Sequence, residues 1–167
     1  MSSARTTDDQ RNRAARIAGA CELQDVRMFH MTANLDNPMV NGPMAYSLES
    51  SMEYQVVDDG TAFIVTGTYE LSVVDGVLED DAEDDDSRRP RVAALNFQMA
   101  ALYSLPESDA DEDSFRDDEY EAFAATTGQF ALYPYARELV ATMTGRMGLP
   151  VLHLANLRVD IDDPDAE

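Results

Sequence analysis

Hydrophobic and polar residues alternate through the middle of the chain. From Met44 to Val56 the even positions are Met44, Tyr46, Leu48, Ser50, Met52, Tyr54 and Val56, while the odd ones are Ala45, Ser47, Glu49, Ser51, Glu53 and Gln55. Successive side chains of a strand point to opposite faces, so this spacing predicts a half-buried β-strand with one wet face. Phe63, Val65, Gly67, Tyr69, Leu71 and Val73 repeat the pattern after Asp58-Asp59-Gly60, which predicts a hairpin. Leu95, Phe97, Met99, Ala101, Tyr103 and Leu105 form a third run; Glu22 to Ala33 forms a weaker one, which Pro38, Gly42 and Pro43 separate from the next. The period then changes. Leu132, Tyr135, Ala136, Leu139, Met143 and Met147 recur three and four apart, the spacing of one helical face. A second face, with Tyr133, Val140 and Ala141 beside Arg137, is also largely apolar. Pro134 would cost about 3 kcal/mol in a helix interior, so it is expected to begin a helical segment or to mark a kink after Gly128. Shorter helices are expected over Arg13 to Cys21 and over Tyr120 to Thr126, the latter with Asp117, Asp118 and Glu119 at its start.

Four strands followed by a long helix in the C-terminal region predict an α+β fold with an antiparallel sheet, and argue against βαβ units. A run of thirteen residues spans about 40 Å, whereas a helix of about fifteen covers only about 22 Å. Sheet and helix therefore carry more apolar surface than one copy hides. That surplus points to self-association, with Leu132, Tyr135, Leu139, Val140 and Met143 as the expected interface. The organisation read from the chain is a loose arm over 1–12 and a single domain over 13–160. Acidic loops are expected at 75–90 and 106–119, and an acidic tail at 161–167.

Charge narrows the partners. Thirty-three acidic residues oppose twelve basic ones, all Arg, for a net charge of −21 in 167 residues. Phosphate backbones and anionic lipid surfaces are repelled by such a chain, so neither nucleic acid nor a membrane is an expected partner. Cys21, the one cysteine, excludes an intramolecular disulfide, and two histidines without cysteine partners make no zinc site; a cytoplasmic location is expected. Asp109, Asp111 and Asp113 begin like a calcium loop, but Ser114 and Tyr120 stand where its Gly and Glu are needed. His30 and His153 have no partnered nucleophile, and no phosphate-binding Gly loop or nucleophile elbow occurs. No enzyme, cofactor or metal is expected.

One stretch is specific to a family. The run from Ala131 to Leu154, with the core Tyr133-Pro134-Tyr135-Ala136-Arg137-Glu138 and the exit Arg146, Leu149 and Pro150, resembles the signature helix of the SecB-type export chaperones. The segment from Ala124 to Tyr135 resembles most closely the SecB-like branch associated with toxin–antitoxin pairs in actinobacteria. The resemblance implies a SecB-like fold in a dimer of dimers, with the long helices at the central interface. It also implies an ATP-independent holdase whose client is an unfolded polypeptide, either an antitoxin or an export preprotein, with SecA as the further partner in the export case. The peptide groove it implies runs beside the crossover and second strand and is lined by Met44, Tyr46 and Leu48, with Phe97, Met99 and Tyr103 from the third matching strand. Nine Met residues suit a surface that repacks around different guests. The family's C-terminal lid helix has no counterpart, which implies a more open groove, and its SecA-facing acidic positions are not matched around Asp25 to His30. The alternative is a non-chaperone acidic oligomeric binding or decoy protein.

Overall fold

The computed structural model describes residues 8–39, 42–57, 60–76, 90–106 and 115–157, the side chains of Asp8 and Asp9 excepted. The acidic stretches 77–89 and 107–114, the candidate calcium ligands and the tail 161–167 lie outside the described residues. In chain order the elements are helix α1 (Asp8–Ala18) and strands β1 (Glu22–Leu35), β2 (Met44–Val57), β3 (Ala62–Asp75) and β4 (Arg91–Ser104), then helices α2 (Asp117–Phe123) and α3 (Gln129–Arg146). The arm expected over 1–12 gives way to helix already at Asp8. No helix among the described residues is long and apolar enough to cross a membrane.

The strands form one antiparallel sheet in the order β1-β4-β3-β2, so consecutive strands β1 and β2 lie at opposite edges. Their connection crosses the end of the sheet. Its path is fixed by the Asp36 and Asn37 N–H groups, which donate to the Val92 carbonyl, and by Arg91 Nε, 2.6 Å from the Asp36 carboxylate. The predicted β2–β3 hairpin is present, closed by the Val57–Ala62 pair, and Gly60 takes the left-handed φ of +91° that such a turn requires.

Alternation sorts the two faces of the sheet. Phe63, Val65, Tyr69, Leu71 and Val73 of β3 are buried, as are Leu95, Phe97, Met99, Ala101 and Tyr103 of β4. Register aligns them in pairs: Phe63 with Tyr103, Tyr69 with Phe97, Leu71 with Leu95. Stacking follows, with ring centroids 5.0 Å apart for Phe63 and Tyr103 and 4.9 Å for Tyr69 and Phe97. The other face is mixed, with Ser47, Glu49, Ser51, Thr68, Glu70, Asn96 and Gln98 beside Ile64, Ala100 and Leu102.

Helix covers the apolar face from end to end. α2 continues through a π-helical turn, Ala124–Gly128, directly into α3, and Gln129 N–H donates to the Ala124 carbonyl five residues back. Pro134 thus lies inside α3, not at the start of a segment; the irregularity sits upstream, in the π turn. Two glycines let the layers approach. A Cβ on Gly128 would fall 2.8 Å from Val65 Cγ1, and one on Gly67 would meet the Tyr69 ring at 2.9 Å and Leu132 Cδ1 at 3.2 Å. Contacts advance in step along both elements, from Phe123 on Phe63 through Gly128 on Val65 and Leu132 at Gly67 to Thr144 beside Val73. Ten strand residues cover about 33 Å and twenty-one helical residues about 32 Å, so the helix runs along β3.

The helix ends are secured locally. Glu119, buried, accepts the Arg116 N–H at 2.8 Å and both carboxylate oxygens face Arg16 Nη1 at 3.1 and 3.2 Å, which ties α1 to α2. At the other end Gly148 takes φ +76°, its N–H donates to the Gly145 carbonyl, and Leu149 N–H donates to the Thr144 carbonyl. This is a Schellman turn, and it sends the chain back along α3.

Tyr69 and Tyr103 are buried with no hydrogen-bond partner for their hydroxyls among the described residues. Burial raises both phenols, that of Tyr103 to about 12, against an ordinary value near 10. A folded state that holds the proton more tightly than the unfolded chain has this stability in full below about pH 10 and loses it as pH rises through the folded value. An alkaline titration should therefore show a last phase of phenolate absorbance that coincides with loss of the circular-dichroism signal. Ionisation of all seven tyrosines with the fold intact through about pH 12 would refute the burial of these two hydroxyls.

Candidate functional site

A helix is about 10–12 Å across and strands lie about 4.8 Å apart, so one helix roofs two strands and leaves the margins of a four-stranded sheet uncovered. Along β1 this exposes Leu23, Met28, Met31 and Leu35, and a bulge between Met28 and His30 turns out Phe29. Along β2 it leaves Met44, Tyr46 and Leu48 half-buried, facing the flank of α3.

Between β2 and α3 lies a groove. Its wider end is an apolar cleft of about 260 Å³ bounded by Pro43, Met44 and Tyr46, by Val73 and Thr144, and by the chain after α3 from Leu149 to Leu152. The narrower end, about 70 Å³, lies between Tyr46, Leu48 and Ser50 on one side and Gln129, Tyr133 and Leu154 on the other. Tyr46 belongs to both. Among the described residues no carboxylate or guanidinium lines either opening, and the wider one is below the roughly 300–1,000 Å³ of small-molecule sites. The wider cleft has room for a large apolar side chain.

The segment from Leu149 to Leu157 occupies the space between the two openings. It is extended but belongs to no ladder. Leu154 is 2% exposed. Leu152 N–H donates to Thr144 Oγ1 at 3.0 Å, the Tyr133 hydroxyl donates to the Ala155 carbonyl, and Arg137 Nη1 donates to Asn156 Oδ1 at 2.7 Å. Burial raises the Tyr133 phenol, the Arg137 guanidinium pulls it back, and the nearby Tyr46 phenol adds to the rise. The hydroxyl therefore remains a donor at neutral pH.

The structure brings Met44, Tyr46 and Leu48 together on this groove, and it puts Phe97, Met99 and Tyr103 elsewhere. These three are at most 6% exposed beneath the helices, so they are core of the protomer and not groove lining. Leu132 and Val140, expected between copies, are likewise fully buried against the sheet. Tyr135 is 47% exposed on the outer side of α3, with Leu139 and Met143 partly buried beside it. Leu149–Leu157 fills part of the groove and leaves it open at both ends. Tyr133, Thr144 and Leu154 also line the groove, where the periodic pattern had not placed them. The signal present was Gly148 and Pro150 closing the helix, followed by the apolar residues Leu152, Leu154 and Leu157.

No protein-family model matches the chain. It is 34% identical over 145 residues to the SecB-like chaperone Rv1957 of Mycobacterium tuberculosis strain H37Rv, covering 84% of this chain and 79% of that protein. The counterpart from strain CDC 1551 is 33% identical with the same coverage. In structure the chain is similar to the Mycobacterium tuberculosis Rv1957 SecB-like chaperone solved in complex with a ChAD peptide from the Rv1956 HigA1 antitoxin. The TM-score is 0.73 at 31% identity, over 89% of this chain and 99% of that one. Identity of that order across more than four-fifths of the chain, joined to the same sheet-and-helix architecture, makes this chain a member of the SecB-like chaperones.

Proposed function

We propose that the protein is an ATP-independent holdase that keeps an extended, non-native segment of another polypeptide on the groove between β2 and α3. Its favoured client is an antitoxin. The observation that carries this reading is a groove flanked by Met44, Tyr46 and Leu48, lined by no charged side chain among the described residues and open to solvent at both ends. The antitoxin client rests on the relative solved with an antitoxin peptide. A cytoplasmic setting and the lack of catalytic activity belong to the same proposal.

Assembly into a dimer of dimers is part of it. Tyr135, Leu139 and Met143 supply the face between long helices, while Leu132 and Val140 stay in each core. The exposed Leu23, Met28, Met31 and Leu35 of β1 are the second apolar strip that association would cover.

Two variants separate client binding from assembly. Tyr46→Asp with Leu48→Asp places charge in the groove and should abolish suppression of aggregation, followed by turbidity of a denatured substrate, with the mass from light scattering unchanged. Full activity in that protein would remove the groove assignment. Tyr135→Asp should instead lower the light-scattering mass at least to that of a dimer; an unchanged mass would place the interface elsewhere.

A further inference from the structure

The chain after α3 meets the groove as an extended guest would. Leu149–Leu157 carries no helical or ladder pairing, yet Leu154 is seated as deeply as the core residues around it. Its side chains alternate: Leu152 and Leu154 point in, while Val151, His153 and Ala155 are exposed. Its backbone is held by side chains of α3, through Thr144 at the Leu152 N–H and Tyr133 at the Ala155 carbonyl. Arg137 holds the Asn156 side chain. An apolar anchor plus bonds to main-chain groups is the pattern by which a groove binds an extended peptide of varied sequence. Open apolar space at either end continues the same track along Met44, Tyr46 and Leu48.

We infer that Leu149–Leu157 is an internal stand-in for client: it holds the stretch of groove beside Tyr46 and Leu48 until an incoming extended segment displaces it and takes over the Leu154 seat and the Tyr133 hydroxyl. The inference rests on the holdase reading and adds its regulation and its recognition rule. The favoured client segment presents a large aliphatic side chain, the next backbone carbonyl to Tyr133, and a hydrogen-bond acceptor one residue on to Arg137. Apparent affinity is the intrinsic affinity reduced by the fraction of molecules whose strap is out.

Hydrogen exchange on the intact chain tests this, with reduced, carboxymethylated α-lactalbumin as a permanently unfolded probe. Free protein should protect the Leu152 amide, and saturating probe should speed its exchange about fivefold while amides of β3 and β4 keep their protection. A chain ending at Pro150 should bind the probe about fivefold more tightly, and excess peptide of residues 149–157 should compete for it. If Leu152 keeps or gains protection with probe bound, the strap is not displaced and the inference fails while the holdase reading stands. If the probe binds neither chain, the groove reading fails and takes the inference with it. Should the shortened chain not fold, exchange in the intact chain decides alone.

Discussion

The fit of one helix along one strand is the constraint on which the rest depends. α2, the π turn and α3 advance along β3 at the pace the strand sets, and they lie close because Gly128 rests on Val65 and Gly67 leaves room for Leu132. A side chain at either glycine would push the layers apart or force its neighbour aside, and a gap of even half an ångström forfeits much of the dispersion energy of the atoms lining it. The Tyr69 ring folds back over Gly67 and fills the furrow that the missing side chain leaves. That close seating stabilises the fold and also limits it. A single rod cannot roof four strands, so the β1 margin of the apolar face stays exposed and the β2 margin is covered only in part, by Leu149–Leu157.

Magnitudes then decide how such margins work. Burying one large aliphatic or aromatic side chain contributes about 1.5–3 kcal/mol, whereas bringing two chains together costs about 4–15 kcal/mol. One cleft of about 260 Å³ therefore holds no client by itself. A long unfolded segment that touches several grooves on one assembly escapes this limit, because each further contact forms at the millimolar effective concentration of a tethered site. Weak, repeated, sequence-tolerant anchoring is what a holdase needs and what a one-to-one receptor avoids. The charge of −21 serves the same end by keeping a protein with this much exposed apolar surface apart from its neighbours.

The strands and their faces were readable from alternation, since a period of two is stated directly by residues such as Met44, Tyr46 and Leu48 against Ser47 and Glu49. Alternation tells which face a residue is on, and nothing in it tells how that face is covered. Phe97, Met99 and Tyr103 share the apolar face with the groove residues, but β4 lies at the sheet's centre under the helix, and spatial strand order is not written in any local pattern. Leu132 and Val140 show the same limit for a helix whose two sides are both apolar. Pro134 misled for a different reason. A missing N–H is a local cost that a helix docked over its whole length tolerates, and packing outweighed it. The strap was invisible to periodicity because it is neither helix nor paired strand; its position follows from the Schellman turn at Gly148.

An occupied groove alters what selectivity means for such a protein. Bare apolar surface binds any greasy segment, including parts of other folded proteins, with a preference that scales only with area. A strap anchored by Leu154, by its Leu152 N–H on Thr144 Oγ1 and by the bond from the Tyr133 hydroxyl sets a threshold instead. Segments that match its aliphatic seat and its backbone bonds exchange with it at little net cost. Segments offering apolar area alone make no bond with the Tyr133 hydroxyl, which then turns to water, and forgo about 0.5–1.5 kcal/mol. Discrimination therefore comes from a competitor built into the chain and from the Tyr133 hydroxyl as a fixed donor, and a groove of few, weak contacts is able to prefer one client without binding it tightly.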